Sequence, residues 1–202
     1  KGHFIFVGRK GVGKSAIAKY IKDTSDNADN SFAALLKICD FKKEKLLQQV
    51  DDTNITTEII FEWMILVTIV KLIVKSGGGS YTKEFDRLSK FLQRNTGSVG
   101  IDKFEISEQI IKKGGDVEFG LLKNCFNFAF RGRFDARTIK APFYKLIDPL
   151  KDIVKNILSY QDTKDKEYWL LFDDLDIDYE IKNEECNDNI ISLLRIAKYY
   201  NN

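Results

Sequence analysis

Residues 7–16 read VGRKGVGKSA: three glycines, three basic residues and a serine within ten positions. Gly8, four intervening residues, then Gly13, Lys14 and Ser15 match the pattern G-x-x-x-x-G-K-[ST]. Glycines let a backbone turn tightly with its N–H groups aimed inward, which makes a nest for anionic oxygens. A helix starting there adds its positive end. The pattern has meaning only between a strand and a helix, and the flanks supply both. His3-Phe4-Ile5-Phe6-Val7 is a β-prone apolar run, and Ser15 to Lys22 carries apolar residues at helical spacing. The bland alternative is a glycine turn of no function. With glycine near 7% of residues, such a match arises by chance in roughly one chain in a hundred, and the strand–helix context lowers that further. The residues expected to wrap a phosphate chain are Gly8, Arg9, Lys10, Gly11, Val12, Gly13, Lys14, Ser15 and Ala16. For Arg9 and Lys10 two roles stand open, phosphate contact or solvated loop charge.

A phosphate loop of this kind needs an acid from elsewhere to hold a divalent cation with the Ser15 hydroxyl. YWLLFDDLD, residues 168–176, offers one. Tyr168 to Phe172 form a continuous apolar run, the pattern of a strand buried on both faces. Asp173 and Asp174 follow at its carboxyl end, where open parallel sheets bind ligands. Asp173 is expected to hold Mg²⁺ and Asp174 to orient the attacking water. Two adjacent acids repel each other, and a metal removes that cost. Alone this run would be an ordinary strand ending in an acidic turn. Paired with the glycine loop it becomes specific. Asp176 and Asp178 read as turn residues.

The composition frames these motifs. A chain of 202 residues, 44% hydrophobic and 31% charged, is globular rather than disordered and can bury a sizeable core. A net charge of +2 gives no electrostatic case for nucleic acid, although a local patch is compatible with a balanced total. Cys39, Cys125 and Cys186 lie far apart with no C-x-x-C pair, and there is one histidine, so structural zinc is excluded on spacing. The cysteines read as reduced, buried hydrophobes of a cytoplasmic chain. No signal-peptide pattern is visible. IIFEWMILVTIVKLIV, residues 59–74, has sixteen residues with Glu62 and Lys71 inside. A bilayer span takes about 20 apolar residues, so this stretch reads as a buried helix of the core, with a membrane span as the alternative.

Along the chain the pattern alternates. A strand over 3–7, the glycine loop and a helix to about 22 are followed by FAALLKICDF, 32–41, whose place suits a second parallel strand while its alanines and leucines leave a helix open. Residues 42–50 read as a short helix, and Thr56 or Thr57 caps the apolar helix that follows. SGGGS, 76–80, is a flexible break, with a native glycine loop and an engineered linker both open. Phe85, Leu88, Phe91 and Leu92 share one face of a helix over 81–95. Residues 117–121 and 125–130 alternate apolar and polar and predict a β-hairpin, with Arg131 and Arg133 beyond it. Pro142 opens a helix with Phe143, Leu146, Ile147, Leu150, Ile153, Val154, Ile157 and Leu158 on one face. A closing helix starts near Asn187 or Asp188 and carries Arg195, either a catalytic finger or a solvated charge.

FVGRKGVGKSAIAKYI together with LLFDDLD resembles bacterial P-loop ATPases of the additional-strand class, near the STAND and AAA-like branches. The likeness is tight over residues 4–21 and 168–176 and loose elsewhere. The KAP family also uses a D-D-L-D strand, with membrane helices between the two motifs. The resemblance implies an α/β three-layer sandwich around a mainly parallel sheet. It makes residues 1–202 a partial P-loop domain with a helical and β-hairpin insertion at about 76–140. It also implies ATP and Mg²⁺ as ligands, Lys14 and Asp174 as catalytic residues, and Ser15 and Asp173 at the metal. Partners would be a second copy, another protein or an appended effector domain, some relatives serving in defence against phage. No guanine-reading N-K-x-D run occurs, which favours ATP. Two functions compete on these grounds, an ATPase driving a conformational switch and a nucleotide-gated scaffold with little turnover.

Overall fold

The computed structural model of the chain describes residues 4–6, 8–9, 11–37, 55–78, 80, 82–96, 116–119, 140–173 and 184–199. In chain order these form α1 (Lys14–Asp26), β1 (Ser31–Lys37), α2 (Thr57–Ser76), α3 (Lys83–Thr96), β2 (Asp116–Glu118), β3 (Lys140–Pro142), a 3-10 turn (Phe143–Leu146), α4 (Ile147–Leu158), the short α5 (Gln161–Lys164), β4 (Glu167–Asp173) and α6 (Glu184–Tyr199). The architecture is mixed α/β.

Two apolar runs far apart in sequence meet as a parallel pair. β1 lies beside β4 with Ser31 opposite Glu167, Leu35 opposite Leu171 and Lys37 opposite Asp173. The Glu167 N–H donates to the Asn30 carbonyl at 2.8 Å, which starts the ladder. Strand side chains alternate between faces, and the burial follows. Ala34 and Leu36, with Phe32, Tyr168, Leu170 and Phe172 around them, join the core beneath α2. Residues 33, 35, 37, 169, 171 and 173 take the opposite face, against which α1 packs. The pair is thus covered by a helix on each side.

α2 is the centre of the molecule. Thr56 caps it, its side chain accepting from the Ile59 N–H. A helix apolar nearly all round is a buried one. Twelve residues of α2 are buried, Phe61, Trp63 and Met64 among them, in contact with α3, α4, α6 and both strands of the parallel pair. Each large apolar side chain placed there is worth about 1.5–3 kcal/mol relative to exposure. Trp63 stacks obliquely on Phe143 with ring centres 5.7 Å apart. The charges inside the run are accommodated: Glu62 pairs with Lys151 of α4 at 2.6 Å, and Lys71 is buried and engaged. The sequence expectation of a core helix therefore holds. No helix among the described residues is long and apolar enough to cross a membrane.

Other expectations need correction. Residues 4–6 are not in a strand; Phe4, Ile5 and Phe6 are 71%, 68% and 54% exposed. A strand exists only through a ladder, and among the described residues none pairs with them. The 168–173 run is a strand, but half-buried rather than buried on both faces, since β1 is its one described neighbour. The second arm of the expected hairpin lies outside the described residues, and its first arm has another partner. Residues 116–118 pair antiparallel with 140–142, Val117 opposite Ala141. Pro142 closes that strand and leads into the 3-10 turn, and α4 proper starts at Ile147. On α4 the expected face is buried except Leu158, which is 36% exposed. α3 buries Leu88, Phe91 and Leu92, with Phe85 half-buried, and α6 begins at Glu184 rather than near 187. The expected helix over 42–50, the strand over 125–130, and Arg131, Arg133, Asp176 and Asp178 lie outside the described residues, as do the cysteine side chains.

Candidate phosphate-loop site

The glycine loop is shaped by backbone conformations that other residues avoid. Gly11 and Gly13 have φ of 87° and 93°, in the left-handed region where a Cβ is strained. Gly13 is the N-cap of α1, so the chain turns from loop to helix there without a side-chain cap and with no acidic residue in the first turn. The helix therefore presents its positive end to the loop uncompensated by any carboxylate of its own. The first intrahelical bond runs from the Ile17 N–H to the Gly13 carbonyl at 3.0 Å. The Val12 N–H donates to the Arg9 carbonyl at 3.4 Å and closes the loop upon itself.

Lys14 folds back over that loop. Its ammonium donates to the Gly8 carbonyl at 2.8 Å and to the Arg9 carbonyl at 3.2 Å. These contacts hold the ammonium against the loop backbone. Gly8, Arg9, Gly11, Val12, Ser15 and Ala16 are exposed, and Gly13 and Lys14 half-buried, so the loop is open to a ligand from solvent.

The two motifs meet in space. The Ser15 hydroxyl donates to Asp173 Oδ1 at 3.0 Å across 158 residues of sequence. Ser15 occupies the first turn of α1, and Asp173 the last position of β4, on the face that α1 covers. In an octahedral magnesium shell with metal–oxygen distances of about 2.0–2.1 Å, neighbouring oxygens lie about 2.9 Å apart. The Ser15–Asp173 pair has that spacing, and the donor set, one hydroxyl and one carboxylate, is the hard-oxygen kind magnesium takes. Among the described residues no three His, Cys, Asp or Glu side chains cluster into a metal site.

Of the residues named from sequence, the structure brings together Gly8, Arg9, Gly11, Val12, Gly13, Lys14, Ser15, Ala16 and Asp173. Lys10 and Asp174 lie outside the described residues. Arg195 is not at the site: its guanidinium pairs with Glu58 Oε1 at 2.7 Å, tying α6 to α2. One residue that the sequence reading passed over lies close by. Lys37 is the register partner of Asp173 on the neighbouring strand. The signal was available in its place at the end of the second strand, but the register that sets it beside Asp173 was not.

The chain matches no family model, no curated protein and no solved structure.

Proposed function

We propose that this chain is a Mg·ATP-binding P-loop module of the additional-strand kind, and that it hydrolyses ATP to drive a conformational or assembly switch. The observation that carries the reading is the hydrogen bond between Ser15 and Asp173. A chance G-x-x-x-x-G-K-S turn has no reason to set its serine against the terminal carboxylate of a distant strand. A phosphate loop and its metal-holding strand must do so.

In this reading the roles follow from position. The backbone N–H groups of residues 8–15 and the N-terminal end of α1 hold the phosphate chain. Lys14 neutralises charge on the β- and γ-phosphates, and Ser15 and Asp173 hold the cation. A divalent cation held there would supply neutralisation of the charge that develops on the phosphates. Asp174 orients the attacking water. The protein's work is positioning and charge neutralisation, since phosphoryl transfer needs little covalent help.

A scaffold that holds ATP with little turnover is the second reading. It is favoured by one observation, the engagement of Arg195 with Glu58 rather than with the loop.

The test is Lys14→Ala. Calorimetry with Mg·ATP is expected to show affinity lowered by at least tenfold, because a charge-assisted contact to phosphate is lost. A folded Lys14→Ala chain that binds Mg·ATP as tightly as the parent would overturn the site.

A further inference from the structure

The strand end that meets Ser15 has a neighbour of opposite charge. Lys37 closes β1 as Asp173 closes β4, and the two are partners in a parallel register. Laterally paired residues of a parallel ladder project to the same side, with strands about 4.8 Å apart. The side is known from both strands. Asp173 accepts from Ser15 of α1, so its carboxylate is on the α1 face. Ala34 and Leu36 are buried in the core on the α2 face, so by alternation Lys37 lies on the α1 face too. Lys37 is exposed and has an interaction of its own, which a ligand would compete with.

The direction of a bound triphosphate follows from the loop. Loop N–H groups and the helix end would cradle the inner phosphates, and Ser15 and Asp173, at the strand end, would hold a cation beside the outer ones. The γ-phosphoryl end is therefore the end nearest the strand termini. A lysine one strand beyond Asp173, on the same face and with a flexible four-carbon stem, covers that end and not the inner phosphates. A second cation has a task there: Lys14 has three N–H donors and directs two of them to the Gly8 and Arg9 carbonyls.

Resting on the nucleotide site proposed above, we infer that Lys37 reads the γ-phosphate, so that the site discriminates nucleoside triphosphate from diphosphate through it. Lys37 is a specificity-determining residue whose contact exists only when the terminal phosphate is present. Occupancy by triphosphate then pulls the end of β1 toward the loop, and hydrolysis releases it.

The experiment is calorimetry on the full chain with two probes, Mg·ADP and the Mg complex of the non-hydrolysable β,γ-imido analogue of ATP. In Lys37→Met the analogue is expected to bind about tenfold more weakly, the loss of one charge-assisted contact, with ADP changed by less than about twofold. Lys37→Arg is expected to keep the preference for the analogue. The ratio of two affinities is read on one sample, so a fraction of unfolded protein does not distort it. An unchanged ratio in Lys37→Met overturns the inference, as does equal weakening of both ligands, the mark of a merely structural lysine. A wild-type chain that binds neither probe overturns the nucleotide site itself, and this inference with it. A wild type that binds both with no preference for the triphosphate analogue overturns the inference alone.

Discussion

Asp26 lies where α1 ends, between Lys22 of its own helix at 2.8 Å and Lys75 of α2 at 2.9 Å. Burial, the largest single influence, pushes its carboxyl pKa up. Hydrogen bonds and Coulomb attraction from Lys22 and Lys75 together outweigh that and hold it below the ordinary value. A carboxyl with a depressed folded-state pKa stabilises the fold above its unfolded pKa, near 3.8, and loses that contribution as pH falls through the folded value. Asp26→Asn is therefore expected to lower the urea midpoint at pH 7, with the gap to wild type closing below about pH 4. Midpoints measured between pH 7 and pH 3 check this; a gap that stays constant would show that the lysines do not favour the charged form. The pair partners are partly exposed, so added salt is expected to narrow the gap at pH 7 as well.

The glycine break after α2 belongs to the fold at the scale of the element. Gly77 caps the helix, its N–H bonded to the Val74 carbonyl at 3.2 Å. Gly78 is then pressed against α5 and β4: a Cβ there would come within 2.6 Å of Thr163 Cγ2 and 3.0 Å of the Tyr168 hydroxyl. Neither neighbour can easily give way. Thr163 is buried, and its hydroxyl lies within hydrogen-bonding distance of the Ile157 and Tyr160 carbonyls, to either of which it can donate. Tyr168 is bound to Ser76 Oγ at 2.9 Å. Burial raises the Tyr168 pKa above its ordinary value, so the hydroxyl stays protonated in this contact. Gly78→Ala is expected to destabilise by about 1–3 kcal/mol, as overpacking does, measured by urea unfolding. A neutral substitution would mean that the helix end is not seated on β4 as described.

Among the described residues, the cations gathered at the proposed site are lysines, Lys14 and Lys37, and no guanidinium is bonded into it. The transferring group needs stabilisation in the transition state beyond ground-state lysine contacts and one divalent cation. Arg195 is committed to Glu58, and Arg9 lies on the exposed loop. The isolated chain is therefore expected to release phosphate from Mg·ATP slowly, with turnover per chain rising as concentration brings copies together and a neighbour supplies an arginine. Phosphate release measured alongside light scattering checks this. Specific activity that stays flat across the transition from monomer to oligomer would count against a shared site.

Local rules made the loop, most helices and both strands of the parallel pair legible in residues alone. Gly8, Gly13, Lys14 and Ser15 have a spacing that few other structures require, and the apolar faces of α2 and α4 repeat at the helical period. Thr56 marked its helix start through its own side-chain chemistry. What remained hidden depends on partners distant in sequence. No local feature says that residues 116–118 pair with 140–142, because antiparallel register is chosen by the packing of both strands on the core. The β propensity of Phe4-Ile5-Phe6 finds no neighbour among the described residues, and the ladder decides. The serine and the aspartate could be named from sequence as metal ligands. Their 3.0 Å contact, and the lysine brought alongside by the register of β1 and β4, were decided only by tertiary structure, since strand pairing across some 130 residues is a property of the sheet and not of either strand.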